Sequence, residues 1–442
     1  MTEYRAWPGD DVAGSQAGGA RYTLLDGAAL GLPVLIWVEA SIIGRLFLVE
    51  LALLALLPLL LRLRGRLLTA RLPMTFIMLA LLWLAFQVLT DIVRATAFAD
   101  YARGWAKIGF TLTNFMALYL LLAGQPRRLK LFTIDLVGGL MLTAAVGPAE
   151  ALRGDPWKFG YGLPVILAVA VLADSAAMRR TWLAPAALVI AIGGVSFVMG
   201  SRSLAGITIF AGVYVFYLQF VARRGASSAP SPTRTALALV IGVAGIWGIM
   251  QFYGYGVSQG YFGREAQAKL QRQTGQFGVL LGGRSEIYVS LQAIGDSPFL
   301  GHGSWPKNPK YRNILLELRR FGYDISTVGQ YGDLIPTHSH LTGAWVEAGV
   351  FGAVIWFWVL YLDARLLATA ASQRLRMPAT TLFLGLLLFW DVLFSPFGAE
   401  RRILVPYMIV MLMAALQSSG RGAEAPTAAR VGPRQAMPYR TE

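Results

Sequence analysis

The sequence predicts an all-α polytopic membrane protein. It has about 12 transmembrane helices and one large, partly helical extracytoplasmic loop between helices 9 and 10. Three observations predict this: a composition too apolar for a soluble domain, twelve apolar runs, and arginines gathered in alternate loops. Hydrophobic residues fill 56% of the 442 positions and charged residues 14%, where a soluble domain carries roughly a quarter charged.

A hydrocarbon core of about 30 Å needs about 20 apolar residues per helix, and shorter runs are tolerated. Such runs fall at 24–43, 45–62, 73–90, 106–123, 130–149, 161–175, 182–199, 205–221, 236–254, 341–362, 378–396 and 402–417. Only Gly44 and Arg45 separate the first two. Residues 1–22 are polar and Gly-rich, without the basic-then-apolar pattern of a cleavable signal, so the first run is expected to stay in the membrane. The organisation expected is a cytoplasmic tail (1–22), helices 1–9 (23–254), the large loop (255–340), helices 10–12 (341–417) and a disordered cytoplasmic tail (418–442).

Arginine placement gives the orientation. Arg62, Arg64, Arg66 and Arg71 follow run two, and Arg127, Arg128 and Lys130 follow run four. Arg179 and Arg180 follow run six, Arg223, Arg224 and Arg234 run eight, and Arg365, Arg374 and Arg376 run ten. Short basic loops belong on the cytoplasmic side. Both termini are then cytoplasmic, and the loop 255–340 lies outside, in the periplasm of a Gram-negative cell. The net charge of +15 is therefore spread over short loops instead of forming one basic face, which excludes a nucleic-acid surface. The chain has no cysteine, so disulfides and thiolate metal sites are excluded.

The loop 255–340 is too long for a mere connection and should fold as a cap. Ser285 to Ile294 places Ile287, Leu291 and Ile294 at helical spacing before Asp296-Ser297-Pro298 ends the helix. Tyr311 to Phe321 reads as a second short helix.

The three histidines, His302, His338 and His340, all belong to this loop or its junction with run ten. Imidazole is the side chain suited to moving protons near neutral pH. Three outward sites each precede a helix start: Ser201-Arg202-Ser203, Gly282-Gly283-Arg284-Ser285 and His338-Ser339. In each, the serine after the key residue is a candidate N-cap. Unpaired N–H groups and the helix dipole make such a start hospitable to anions, and an arginine beside it suits phosphate. The same dipole disfavours the imidazolium form of His338, and a neutral imidazole is what a general base needs.

From His338 the chain reads His, Ser, nine residues, Gly349, two residues, Gly352. This resembles the His-[Asn/Ser/Gln]-x9-Gly-x-x-[Gly/Thr/Tyr] signature of bacterial O-antigen ligases. Ser201-Arg202 resembles the Ser-Arg step of that family. Arg284 and Gly295, before Asp296-Ser297-Pro298-Phe299-Leu300-Gly301-His302-Gly303, resemble the segment that leads into its Pro-Leu-x-Gly-x-Gly turn. The resemblance covers roughly 195–360, with the sites in the family's order. The Arg-x10-Gly spacing also occurs among O-antigen polymerases, and Gly303-Ser304-Trp305-Pro306 resembles exopolysaccharide polymerases of the same superfamily.

The resemblance implies an inverting, metal-independent and cofactor-free transfer on the periplasmic face of the inner membrane. The donor would be a glycan on polyprenyl (undecaprenyl) diphosphate. The acceptor would be a sugar hydroxyl, on lipid A–core for a ligase or on a lipid-linked repeat for a polymerase. His338 would deprotonate the acceptor, Arg202 and Arg284 would hold the departing diphosphate, and His340, His302 and Ser339 would support or contact substrate. The residues agree with this: an activated donor needs no Walker lysine, and no Asp-x-Asp pair is present for a metal-bound sugar nucleotide.

Plainer roles stand beside these. His338 is also a polar residue at a membrane boundary, Arg202 a snorkelling side chain, and Arg284 an exposed charge. Arg401 and Arg402 are either further phosphate ligands or a solvated pair. Glu50, Asp135 and Asp391 lie within or near apolar runs and need a cavity or partner, and Glu347 suits a structural pairing. Trp83, Trp247, Trp345, Trp356 and Trp358 suit packing or interfacial anchoring. The competing functions are a flippase for lipid-linked sugars and a non-catalytic scaffold.

Overall fold

The computed structural model describes residues 23–42, 44–147, 155–223, 248, 251, 254–261, 285–317, 332–370, 375 and 377–423. Run nine (236–254) falls almost wholly outside them, as do Arg284, Trp247, the tail 1–22 and most of the tail 418–442.

The described chain is mostly helical. In order it forms α1 (Leu24–Gly31), a 3-10 turn (Pro33–Trp37), strands β1 (Glu39–Ser41) and β2 (Arg45–Phe47), α2 (Leu48–Arg64), α3 (Arg71–Val93), α4 (Phe98–Leu122) and α5 (Pro126–Val146). Next come α6 (Gly162–Ala173), α7 (Ala176–Arg179), α8 (Ala184–Val198) and α9 (Arg202–Arg223). The cap helices α10 (Ser285–Asp296) and α11 (Pro309–Glu317) precede α12 (His340–Thr369), α13 (Pro378–Phe394) and α14 (Arg401–Ala423). Proline opens α5 and α13 at positions where a missing N–H costs nothing. Among the described residues α3, α4, α5, α9 and α12 are long and apolar enough to cross a membrane, and several shorter apolar helices accompany them. This is a membrane-embedded helical protein.

The first run departs from expectation. Helix ends at Gly31, Pro33 opens the 3-10 turn, and residues 39–47 pair as an antiparallel hairpin. The hairpin strands are largely exposed, and Arg45 bonds Glu39 across them at 2.6 Å. A Glu and an Arg six residues apart cannot meet along a helix, but hairpin pairing brings them together. Even so, its first part packs along α5 from Arg128 to Gly139. Asp26 pairs with Arg128 near the start of α5 at 2.8 Å, and Asp135 accepts the Val34 N–H further along.

Buried charges tie the bundle. Glu50 and Arg402 are both buried and bond at 2.7 and 2.8 Å, linking α2 to α14. Asp174, after α6, accepts the N–H groups of Ala379 and Thr380 at 3.0 and 2.9 Å and so clasps the start of α13. In the cap, the described part of α10 runs from Ser285 and ends at Asp296, and its buried apolar residues are Val289, Ala293 and Ile294. Leu291, which shares the helical spacing of Ile287 and Ile294, is 56% exposed. Packing on α12 sets the rotation of the helix, and Val346 joins the same cluster.

Candidate functional site

The stretch α12 is two helical arms. Helical backbone fails at Ala348 (φ −122°, ψ 16°) and Gly349 (φ +66°, ψ −167°). A continuous helix would put His340 and Trp356 about 24 Å apart; their ring centroids lie 5.1 Å apart. Trp345 and Phe357 meet at 5.9 Å, and a Cβ on Gly352 would overlap the Ala344 carbonyl oxygen. The short arm, 340–347, therefore folds back along the long arm, 350–369. Its first turn lies beside Trp356 of the long arm, about 12 Å from the tip at 348–349 at 1.5 Å per residue.

Ser339 caps the short arm. Its backbone is extended, and its Oγ accepts the Thr342 N–H at 3.1 Å and donates to the Val392 carbonyl at 2.8 Å. His340 Nδ1 lies 2.6 Å from the Ser395 carbonyl. Two consecutive residues thus bind carbonyls at the end of α13 and just after it, where helix bonds run out. His338, half-buried, immediately precedes this clamp. Of the serines expected as caps, Ser339 acts as one. Helix α9 begins at Arg202, one residue before Ser203, and the residue before Ser285 lies outside the described residues.

Around His340 stand Trp83, Trp356 and Phe397, with centroids 4.9–6.4 Å apart. His340 is 1% exposed, and its Nε2 has no hydrogen-bond partner among the described residues. Two ion pairs flank the box: Lys107 with Glu347, and Arg401 with Asp391. The Lys107 ammonium also lies 5.8 Å from the Trp83 ring. Glu347 thus has the structural pairing expected of it.

The turn after α10 is locked onto the tip of α12. Gly349 makes this possible: its φ is unfavourable for L side chains, and a Cβ there would overlap the Phe299 carbonyl oxygen. Pro298 O accepts the Val350 N–H and the Trp345 Nε1–H, each at 2.9 Å, while Val346 and Glu347 carbonyls accept from His302 and Gly303. From the other side, Arg94 donates to Gly301 O at 2.8 and 3.0 Å, and Thr90 to Leu300 O at 2.6 Å. Asp91 accepts from the Ser304 N–H, the Ser304 hydroxyl and Trp105 Nε1 at 2.6–2.8 Å. A Cβ on Gly104 would overlap the Ser304 hydroxyl, so α4 approaches this turn as closely as backbone allows.

His302 belongs to this lock. Its Nε2 meets the Ala293 carbonyl at 2.8 Å and its ring stands edge-on to Tyr311. Burial pushes its pKa below the usual histidine value, against the opposing effect of that hydrogen bond. Through these contacts it braces the cap. Arg402 is buried and not solvated, and its guanidinium donates to Glu50 and to the Arg45 carbonyl. Arg401 is committed to Asp391.

Arg202 lies at the same end of the bundle as His338. Asp174 fixes the start of α13 beside the end of α6, and α6, α8 and α9 alternate in direction through short turns. Helix α13, packed along α9, therefore finishes where α9 begins, and its end holds Ser339 and His340. Helix α10, which Arg284 precedes, is held there too: Ser290 donates to the Pro336 carbonyl at 3.0 Å, two residues from His338.

Sequence reasoning missed Lys107, Asp91 and Arg94. A readable signal existed for the last two: an acid and an arginine three residues apart at the end of an apolar run. No family model matches this chain, and no curated protein matches it.

Proposed function

We propose that the chain is a membrane glycosyltransferase of the O-antigen ligase type. It transfers a glycan from polyprenyl diphosphate to an acceptor sugar hydroxyl, such as one on lipid A–core, at the periplasmic face of a bacterial inner membrane. The observation that carries this reading is the fold-back of α12, which recesses the N-terminus of its short arm within the bundle, directly after His338. An inward-aimed helix start favours negative charge, and the motif's Gly349 is the residue that permits the fold-back.

In this mechanism His338 takes the proton from the acceptor hydroxyl. The freed oxygen attacks the anomeric carbon opposite the diphosphate, the old C–O bond breaks, and its electron pair leaves on the diphosphate oxygen. Configuration inverts. Arg202 and Arg284 neutralise the growing charge, an effect of about 3–4 kcal/mol for one well-placed donor, and the base contributes about 10²–10⁴-fold.

A polymerase that joins lipid-linked repeats uses the same chemistry with another acceptor, and the Gly303-Ser304-Trp305-Pro306 segment favours it. Product analysis separates the two: chains on lipid A–core mean ligase, and chains lengthened on polyprenyl diphosphate mean polymerase. The broken α12 also fits a flippase, since transporters place interrupted helices at their sites. Donor consumed in detergent, with no sealed compartment, supports the enzyme; movement across sealed vesicles without consumption overturns it.

A further inference from the structure

Helix α10 has two surfaces to satisfy, and among the described residues protein covers only one. Val289, Ala293 and Ile294 are buried in the cap. On the free half the side chains sort by polarity. At about 100° per residue, Ile287, Leu291, Gly295 and Tyr288 fall on one arc, while Gln292 and Asp296 fall on the next. Tyr288 is 58% exposed, Leu291 56%, and Phe299, in the following turn, 72%. A free surface divided into an apolar strip and a polar strip is the form of a helix lying between lipid and water.

The height of the strip follows from α12. Its long arm, 350–369, covers about 30 Å, the thickness of a hydrocarbon core. The tip therefore stands no higher than the outer edge of that core when residue 369 lies at the inner edge. Phe299 is held at the tip by the bonds of Pro298 to Val350 and Trp345. Below it on the same arm, Phe357 and Tyr361 are 47% and 58% exposed, and Trp345 packs on Phe357. The apolar strip of the cap thus continues the apolar outer surface of a spanning helix.

We infer that Tyr288, Leu291 and Phe299 are immersed in the edge of the bilayer and contact lipid acyl chains, making the cap a membrane-surface element. The polar arc is then turned to water, with Asp296 bonded to Lys310 at 2.5 Å. The inference rests on fold and exposure and does not depend on the proposed reaction.

The chain has no cysteine, so Leu291→Cys, Phe299→Cys and Gln292→Cys each carry a single nitroxide label. The full-length variants are reconstituted in phosphatidylcholine vesicles, and label collisions with oxygen and with a water-soluble nickel chelate are measured by power-saturation EPR. Labels at 291 and 299 are expected to collide several-fold more with oxygen than with nickel, and the label at 292 the reverse. Nickel-dominated collisions at 291 and 299 would overturn the inference. So would exclusion of both reagents, which would mean that protein covers the strip. Tyr288→Cys carries the same test if either variant fails to insert.

Discussion

The rings of His340 and Trp356, sixteen residues apart in one stretch of helix, lie 5.1 Å apart centroid to centroid. That contact exists because the chain reverses at Ala348 and Gly349. The reversal places the cap turn, the aromatic box and the start of the short arm in one assembly.

Gly349→Ala is expected to destabilise the protein by about 2–4 kcal/mol, because it strains a positive φ and drives a methyl group into the Phe299 carbonyl. Gly138→Ala, where nothing lies within 4 Å of the added carbon, is expected to be neutral or to stabilise by up to about 1 kcal/mol. Melting temperatures in detergent compare the two; equal shifts would remove Gly349 from its role.

Breaking the Glu50–Arg402 pair should cost about 3–5 kcal/mol, since either single replacement leaves a buried charge uncompensated. The double variant Glu50→Leu with Arg402→Met should recover most of that loss. A double variant as unstable as the worse single one would contradict this.

His302 gives a pH dependence with a definite sign. Its folded pKa is lowered by burial, so the unfolded chain binds the proton more readily. Stability is full above the unfolded value of about 6.5 and declines as pH falls below it, levelling once the folded imidazole is also protonated. Asp296, held low by hydrogen bonds from Lys310 and Tyr311, loses its contribution only below the ordinary carboxylate range. The melting temperature of His302→Gln should fall less than that of the parent between pH 7.5 and 5.5. An unchanged slope would show that another group is responsible.

Asp363 is 1% exposed, and neither of its carboxylate oxygens has a partner among the described residues. Asp363→Asn keeps the volume and removes the ionisable group, so it should leave the melting temperature unchanged or raise it. A loss above about 2 kcal/mol would mean that the carboxylate satisfies something essential.

Apolar length made α3, α4, α5, α9 and α12 legible in the sequence, because a hydrocarbon core imposes it. The hairpin at 39–47 was hidden because its pairing depends on which residues meet across a turn, not on hydropathy. The reversal in α12 was hidden for a related reason: both arms are apolar, so one unbroken run was visible, and Gly349 entered only as a motif position. Ser339 was legible as a cap because capping is local chemistry. The roles of His302 and Arg402 were not, because each depends on partners brought from distant elements, Ala293 and Tyr311 for one and Glu50 for the other.

The most direct test of the proposed reaction uses purified protein in detergent, with polyprenyl-diphosphate-linked saccharide and lipid A–core from the producing cells. The parent should form acceptor-linked product. His338→Ala and Arg284→Ala should each lower the turnover rate at least about 10²-fold while melting within about 2 °C of the parent. Near-normal turnover by either folded variant would contradict the account.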